Sequence, residues 1–481
     1  MIYMPRWRNW QTHYLEVVAL ARAWRFESSP GHLVLIKMKS ISKNIFRAYD
    51  IRGEYPKEIS PDFAYRLGYF FNDFLRLSKI SKRKNLRILV DADLRKSSEL
   101  LKEKLIAGLS YNKNIILDLG QSTTPMFYFG IKKVKADFGI MVTASHLPQD
   151  HNGFKIFDKD ITAISGERMG KFVKLFEKNI VNSHVLKSQV IKVNLLNEYV
   201  DFLVKYFNFK ADDRKSLRDI KIAVNDQFGI ATPVFKKLLP KLNLPIRLFY
   251  EKSNIKFHKI VKNSFDLGVY FDADGDRVVF VNKQGEIISS DIIGPILAQY
   301  FAQLNKKAKI VIDETTTKFV GEVVKEHSGE VIYSQIGHTY FKVKMAETKS
   351  VFGLEKSGHY YFKDFYFADS GIFTFLTFLK AFIFYGGSLD NLQNDFEKYA
   401  IAPEINFKTK NYQRMENALK NKFKRQAKRI SSFNGLTMDF NDWRFNIRPS
   451  NTEPILRFNM EAVDEKILKD KMLLIKKILK K

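Results

Sequence analysis

The stretch Arg87-Ile88-Leu89-Val90-Asp91 is a short apolar run ending on a carboxylate, and the pattern returns as Lys221-Ile222-Ala223-Val224-Asn225-Asp226 and Lys309-Ile310-Val311-Ile312-Asp313. Each copy leads through a polar turn into a helix-like stretch, at 97–109, 231–239 and 316–327. A β-rich run, a turn and an amphipathic helix make an α/β unit, so three spaced copies predict three related mixed α/β domains in series. The segment from about Tyr399 lacks the pattern and closes on a helix with Leu468, Met472, Ile475 and Leu479 along one face, so a smaller C-terminal α+β domain is expected. The expected partition is 38–190, 191–286, 287–398 and 399–481. The most apolar helix, at 372–385, is interrupted by Lys380 and too short to span a membrane.

With 481 residues, 45% of them hydrophobic, the chain can build several cores. It has no cysteine, which excludes zinc ribbons, iron–sulfur clusters and cysteine nucleophiles and fits a reducing, cytoplasmic setting. The formal net charge of +28 would attract polyanions. Coding rich in A and T is a sufficient source of the lysines, however, and no nucleic-acid-binding module is recognisable. The first 37 residues differ in composition: Trp7, Trp10 and Trp24 are three of the four tryptophans. Glu16, Arg22 and Arg25 break any signal-peptide core. The words Trp7-Arg8-Asn9-Trp10-Gln11 and Phe26-Glu27-Ser28 read like a translated transfer-RNA gene. Residues 1–37 are therefore expected to be a non-native or disordered extension, with Met38 the natural start.

Four motifs carry chemistry. In Thr143-Ala144-Ser145-His146-Leu147-Pro148 a serine at a strand exit is presented as a nucleophile, with His146 beside it and Lys155 close by in sequence. A Ser/Thr turn with a surface lysine is the plain alternative. Asp272-Ala273-Asp274-Gly275-Asp276-Arg277 sets three carboxylates at alternate positions in a tight turn, suited to Mg²⁺. An EF-hand would need Gly and Glu where Arg277 and Lys283 stand, and a solvated acidic turn would leave the carboxylates repelling one another. Gly353-Leu354-Glu355-Lys356-Ser357-Gly358-His359 can hydrogen-bond sugar hydroxyls. Arg448-Pro449-Ser450-Asn451-Thr452-Glu453-Pro454 can surround a phosphate dianion.

In this order, and preceded by Phe46-Arg47-Ala48-Tyr49-Asp50-Ile51-Arg52-Gly53, the motifs resemble the α-D-phosphohexomutase family, phosphomannomutase/phosphoglucomutase branch. The resemblance runs from about Ile45 to the C-terminus. It implies four domains in a heart shape, each giving one loop to a central cleft. It implies a phosphorylated Ser145, Mg²⁺ held by that phosphate with Asp272, Asp274 and Asp276, and a hexose 1,6-bisphosphate as intermediate and activator. Arg52, Lys155, His146 and His359 match positions around the reacting phosphate. Tyr49, Arg277, His338, Glu355 and Ser357 match substrate-binding positions, and Arg448, Ser450, Asn451 and Thr452 match the loop for the non-reacting phosphate. The implied partner is a small phosphosugar, with no nucleic acid or membrane, for a cytoplasmic monomer or homodimer.

Three departures stand out. Leu147 occupies a position where many relatives have Asn, Thr315 one where a basic residue is usual, and Leu354 one where Gly is commoner. A phosphoglucosamine mutase, a non-catalytic sugar-phosphate binder and a basic nucleic-acid binder remain as rival readings. The nucleophile and the three aspartates count against the sugar-phosphate binder, and the lack of a recognisable nucleic-acid module against the nucleic-acid binder.

Overall fold

A computed structural model describes residues 42–47, 49–164, 166–178, 188–386, 388–408, 411–449 and 455–479. The expected extension at 1–37 lies outside them. The first sheet comprises β1 (Ile51–Glu54), β2 (Arg87–Ala92), β3 (Ile115–Gln121), β4 (Phe138–Val142), β5 (His151–Asp158) and β6 (Gln189–Lys192), in the order β1-β5-β4-β2-β3-β6. β2, β3, β4 and β6 are parallel, and β5 is antiparallel to β4 and β1.

The second sheet, β7 (Ile222–Asn225), β8 (Ile246–Phe249), β9 (Leu267–Phe271), β10 (Val278–Asn282) and β11 (Ile287–Ile288), has the order β11-β10-β9-β7-β8. The third, β12 (Lys309–Ile312), β13 (Glu330–Tyr333), β14 (Phe352–Leu354), β15 (Tyr360–Phe362) and β16 (Ala368–Asp369), has the order β13-β12-β14-β15-β16. All three share one plan: a parallel group whose last strand turns back as an antiparallel hairpin, β4–β5, β9–β10 and β14–β15. The serine, aspartate and sugar-reading motifs occupy the three hairpin turns.

The last sheet is antiparallel and contains β17 (Ala400–Ile401), β18 (Ile405–Lys408), β19 (Arg429–Ser431), β20 (Leu436–Asp439), β21 (Trp443–Pro449) and β22 (Ile455–Ala462). This is the mixed α/β series with a smaller C-terminal α+β unit that the repeat predicts.

The carboxylates that mark the repeat are structural. Asp91, Asp226 and Asp313 are buried, and each accepts a bond from a hydroxyl, of Ser122, Thr232 and Thr315 respectively. Helices follow at Ser98–Leu109, Thr232–Leu242 and Phe319–Glu326. The third starts later than the sequence suggests. Thr315 folds back on Asp313 and Thr317 Oγ1 accepts from Phe319 N at 3.3 Å, so local side-chain bonds hold 315–317 as a turn. One continuous apolar core runs through the first three sheets, while the last has its own, which receives Leu468, Ile475 and Leu479 of the Glu465–Leu479 helix, with Met472 at its edge. Among the described residues no single helix is long and apolar enough to cross a membrane.

Arg95, which motif reading passes over, organises the β4–β5 turn. It is 4% exposed, and its guanidinium donates to the carbonyls of Ser145, Leu147 (2.7 Å), Pro148 (2.6 Å) and His151 (3.2 Å), while Nε meets Asp93 at 3.1 Å. A planar fork of five donors can gather carbonyls this way where an ammonium cannot. The loop is thus fixed through main-chain atoms, and Leu147 in place of an amide leaves its carbonyl bonded. Arg95→Ala would strand a buried carboxylate and four carbonyls, a change costing about 3 kcal/mol or more. Hydrogen–deuterium exchange over 145–151 is expected to rise at least about tenfold in this variant, and not in Arg83→Ala, whose ion pair with Asp137 is on the surface.

Candidate active site

Ser145 is 3% exposed and sits at φ +53°, a left-handed conformation that non-glycine residues adopt at a cost. Its N–H donates to Thr143 Oγ1 at 2.9 Å, and the Arg95 bond fixes its carbonyl. β1 brings Arg52 to the same loop: Nη1 donates to Ala144 O at 3.4 Å, and Nη2 pairs with Asp50 at 2.6 Å. His146, next to Ser145, is held below its ordinary pKa by desolvation and by the cations of Arg277 and Arg52.

The pairing of β4 with β5 sets Lys155 opposite Met141. From there its ammonium crosses into the aspartate turn, 2.7 Å from Asp274 Oδ2 and 2.9 Å from Asp276 Oδ2, wholly buried. Burial opposes its charge, but the two carboxylates outweigh burial and its pKa is raised. Arg277 Nε lies 2.9 Å from Asp272 Oδ2. Burial and the Asp276 carboxylate push Asp272 up to about 7. Burial also disfavours charge on Asp276, yet Lys155 and then His359 hold it well below the usual carboxylate range.

The three aspartates offer one oxygen each within 4.8 Å of one another. Asp274 Oδ1 and Asp276 Oδ1 are buried and have no hydrogen-bond partner among the described residues. Convergent carboxylate oxygens with free lone pairs fit a hard divalent cation. Gly275, at φ +73°, makes the turn, and a Cβ there would come within 3.1 Å of Thr123 Cγ2.

The β14–β15 turn closes on this group. His359 Nε2 is 3.5 Å from Asp276 Oδ1 and 3.8 Å from Asp369 Oδ2, and Nδ1 is 2.9 Å from Ser357 Oγ. Glu355 is buried; Gly337 N donates to its Oε1 at 2.8 Å and the Tyr361 hydroxyl bonds its Oε2. Burial raises its pKa. Tyr49 donates to Ile336 O at 3.1 Å and meets the rings of His338 and Tyr340 edge-on, at 5.6 and 5.2 Å. Gly337 permits this approach, since a Cβ would sit 2.6 Å from the Tyr49 hydroxyl. Both ring nitrogens of His338 are buried without a hydrogen-bond partner among the described residues.

Arg448, at the end of β21, is coupled electrostatically to Asp313 and Glu355; burial lowers its pKa, and Asp313 and Glu404 oppose the shift. Ser450, Asn451 and Thr452 lie outside the described residues. Thr315, where a basic residue was expected, bonds Asp313, and cations reach the neighbouring Glu314 from the last sheet. Arg429 grips its carboxylate at 2.6 and 3.1 Å, and Arg444 Nη2 approaches it at 3.3 Å.

Ser145, Arg52, Lys155, the three aspartates, Arg277 and His359 therefore form one cluster. Glu355 and Ser357 join it through His359, and Tyr49 and His338 through Gly337. Motif reading missed Arg95, Thr124, Lys342 and Asp369. Asp369 Oδ1 pairs with the buried Lys342 at 2.9 Å. The signal for Lys342 was its place one helical turn after His338; isolated Thr124 and Arg95 carried none.

The profile for phosphoglucomutase/phosphomannomutase α/β/α domain I matches residues 43–181, that for domain III residues 289–399, and that for the C-terminal domain residues 404–472. A phosphomannomutase of Methanocaldococcus jannaschii is 34% identical over 458 residues, covering 91% of this chain and 98% of the relative. One from Escherichia coli K12 is 32% identical over 443 residues, covering 87% and 94%. The crystal structure of a phosphoglucomutase/phosphomannomutase family protein from Burkholderia thailandensis superposes with a TM-score of 0.78 at 26% identity, covering 92% of this chain and 98% of the other. With matching domains in series, relatives spanning nearly their full length and a shared fold, the chain belongs to the phosphoglucomutase/phosphomannomutase family and is a phosphohexomutase.

Proposed function

We propose that this phosphohexomutase interconverts the 6-phosphate and 1-phosphate of a hexose, mannose and/or glucose, through a phosphorylated Ser145. The convergence of the serine, aspartate and His359 turns, joined by Lys155, carries this reading. The domain partition at 38–190, 191–286, 287–398 and 399–481 belongs to it, supported by four separate sheets.

The phosphoryl group on Ser145 passes to the free hydroxyl of a hexose monophosphate, the serine P–O bond breaking as the sugar P–O bond forms. His359 takes the hydroxyl proton and Lys155, the general acid or base that the family resemblance implies, gives one to the departing Ser145 Oγ, with His146 as a further charge-bearing group. Arg52, Lys155 and Arg277 face the charge spread over the transferring group. Asp272, Asp274 and Asp276, with the phosphate on Ser145, would hold a divalent cation, Mg²⁺ by the hardness of the donors, which offsets that charge. The hexose 1,6-bisphosphate then turns in the cleft and returns its other phosphate to Ser145; added bisphosphate activates by phosphorylating the serine.

Glu355 and Ser357 read the sugar hydroxyls, while Tyr49 and His338 line the same side. Arg448, with Ser450, Asn451 and Thr452, holds the phosphate that is not reacting. The enzyme acts on a small phosphosugar in the cytoplasm as a monomer or homodimer.

Incubated with Mg²⁺ and a trace of glucose 1,6-bisphosphate, the enzyme is expected to turn over mannose 1-phosphate and glucose 1-phosphate faster than glucosamine 1-phosphate. A preference for the amino sugar would favour the phosphoglucosamine reading, and turnover of none would reject the assignment. Ser145→Ala should take up no label from [³²P]bisphosphate; labelling that persists would place the nucleophile elsewhere. Arg448→Ala, which loses charge-assisted bonds to the distal phosphate, should raise KM about tenfold to a hundredfold with a smaller change in kcat. A loss confined to kcat would remove Arg448 from phosphate binding.

A further inference from the structure

The helix Thr124–Lys133, which follows β3, reaches out of its own domain. At its first residue, Thr124 N donates to the carbonyl of Asp274 at 2.8 Å, and Thr124 Oγ1 donates to Asp274 Oδ2, also at 2.8 Å. Both residues are fully buried. The same oxygen takes the Lys155 ammonium at 2.7 Å. Asp274 Oδ2 is thus engaged from two sides by groups of the first domain, while Oδ1, equally buried, has no hydrogen-bond partner among the described residues. A carboxylate pinned at one oxygen by a hydroxyl and at its own main-chain carbonyl by an N–H cannot rotate, and presents its other oxygen in one direction.

We propose that Thr124 is a positioning residue for the aspartate turn, selecting Asp274 Oδ1 as the oxygen offered to a divalent cation. The inference rests on the reading of Asp272, Asp274 and Asp276 as the cation site. It makes the affinity of a loop in the second domain depend on a hydroxyl in the first. Hydrogen bonds that orient a ligating carboxylate are worth about tenfold to a hundredfold in metal affinity. Lys132, near the far end of the same helix, supplies the contrast: its ammonium pairs with Asp160 at 3.0 Å on the surface.

The test is binding of Mn²⁺ alone to the full chain, followed by the loss of the free-ion electron paramagnetic resonance signal. Thr124→Val keeps the shape and the N–H bond but not the hydroxyl, and should weaken Mn²⁺ binding tenfold or more. Thr124→Ser should restore it to within threefold of the parent, and Lys132→Ala should leave it unchanged. Equal affinity in the parent and Thr124→Val would overturn the proposal, as would a Ser variant as weak as Val, which would trace the effect to packing. Should Val fail to fold, Thr124→Ala supplies the same comparison against Ser. A parent chain that binds no Mn²⁺ would instead overturn the cation-site reading itself.

Discussion

Three carboxylates brought together in a buried turn repel one another, and much of the molecule's central arrangement answers that fact. Asp272, Asp274 and Asp276 lie close enough to share a cation. Desolvation in such a place disfavours charge, and mutual repulsion adds to it. Two cations are built in against this: Arg277 within the turn itself, and Lys155 from another domain. An ion pair of this depth is held by geometry and not by any large net gain, since removing either partner strands a buried charge. The second domain's turn is therefore registered against the first domain's hairpin before any substrate arrives.

That registration relies on a plan used three times. In each of the first three sheets the parallel strands end on a hairpin, and the hairpin turn is where a short polar word can stand clear of the ladder. The serine, aspartate and glutamate–histidine turns are thus structurally equivalent positions. The strand-end carboxylates Asp91, Asp226 and Asp313 mark the repeat in the sequence, but their side-chain bonds go to the hydroxyls of Ser122, Thr232 and Thr315, so they brace the strand ends and do not bind one another.

Much of this was legible from the chain alone. Strand, turn and helix follow one another at Arg87, Lys221 and Lys309 because apolar period and local turn chemistry act over a few residues. The four motifs name most of the cluster because each is contiguous. What stayed hidden depends on long-range placement. Arg95 precedes the loop it gathers by fifty residues, and Thr124 precedes Asp274 by 150. Asp369 takes its meaning from Lys342 and His359, which other elements deliver. The third helix began late for the opposite reason: Thr315 bonds the Asp313 carboxylate and Thr317 Oγ1 takes the Phe319 N–H, local bonds that replace another turn of helix.

The cores are divided unequally, and this sets which joint of the molecule is held most weakly by apolar contact. One apolar core threads the first three sheets, while the last sheet has its own core and meets the third largely through polar groups: Glu314 with Arg429 and Arg444, and Asn434 Nδ2 on the Ser334 carbonyl at 2.8 Å, beside the Tyr399 ring on Phe319. Separating apolar faces exposes area at a steep free-energy cost, whereas a polar seam exchanges protein partners for water almost evenly. Parting the last sheet from the third would open mainly an ionic seam to water, whereas parting any two of the first three would expose shared core, and Arg448 stands on the side of the seam that is cheaper to open.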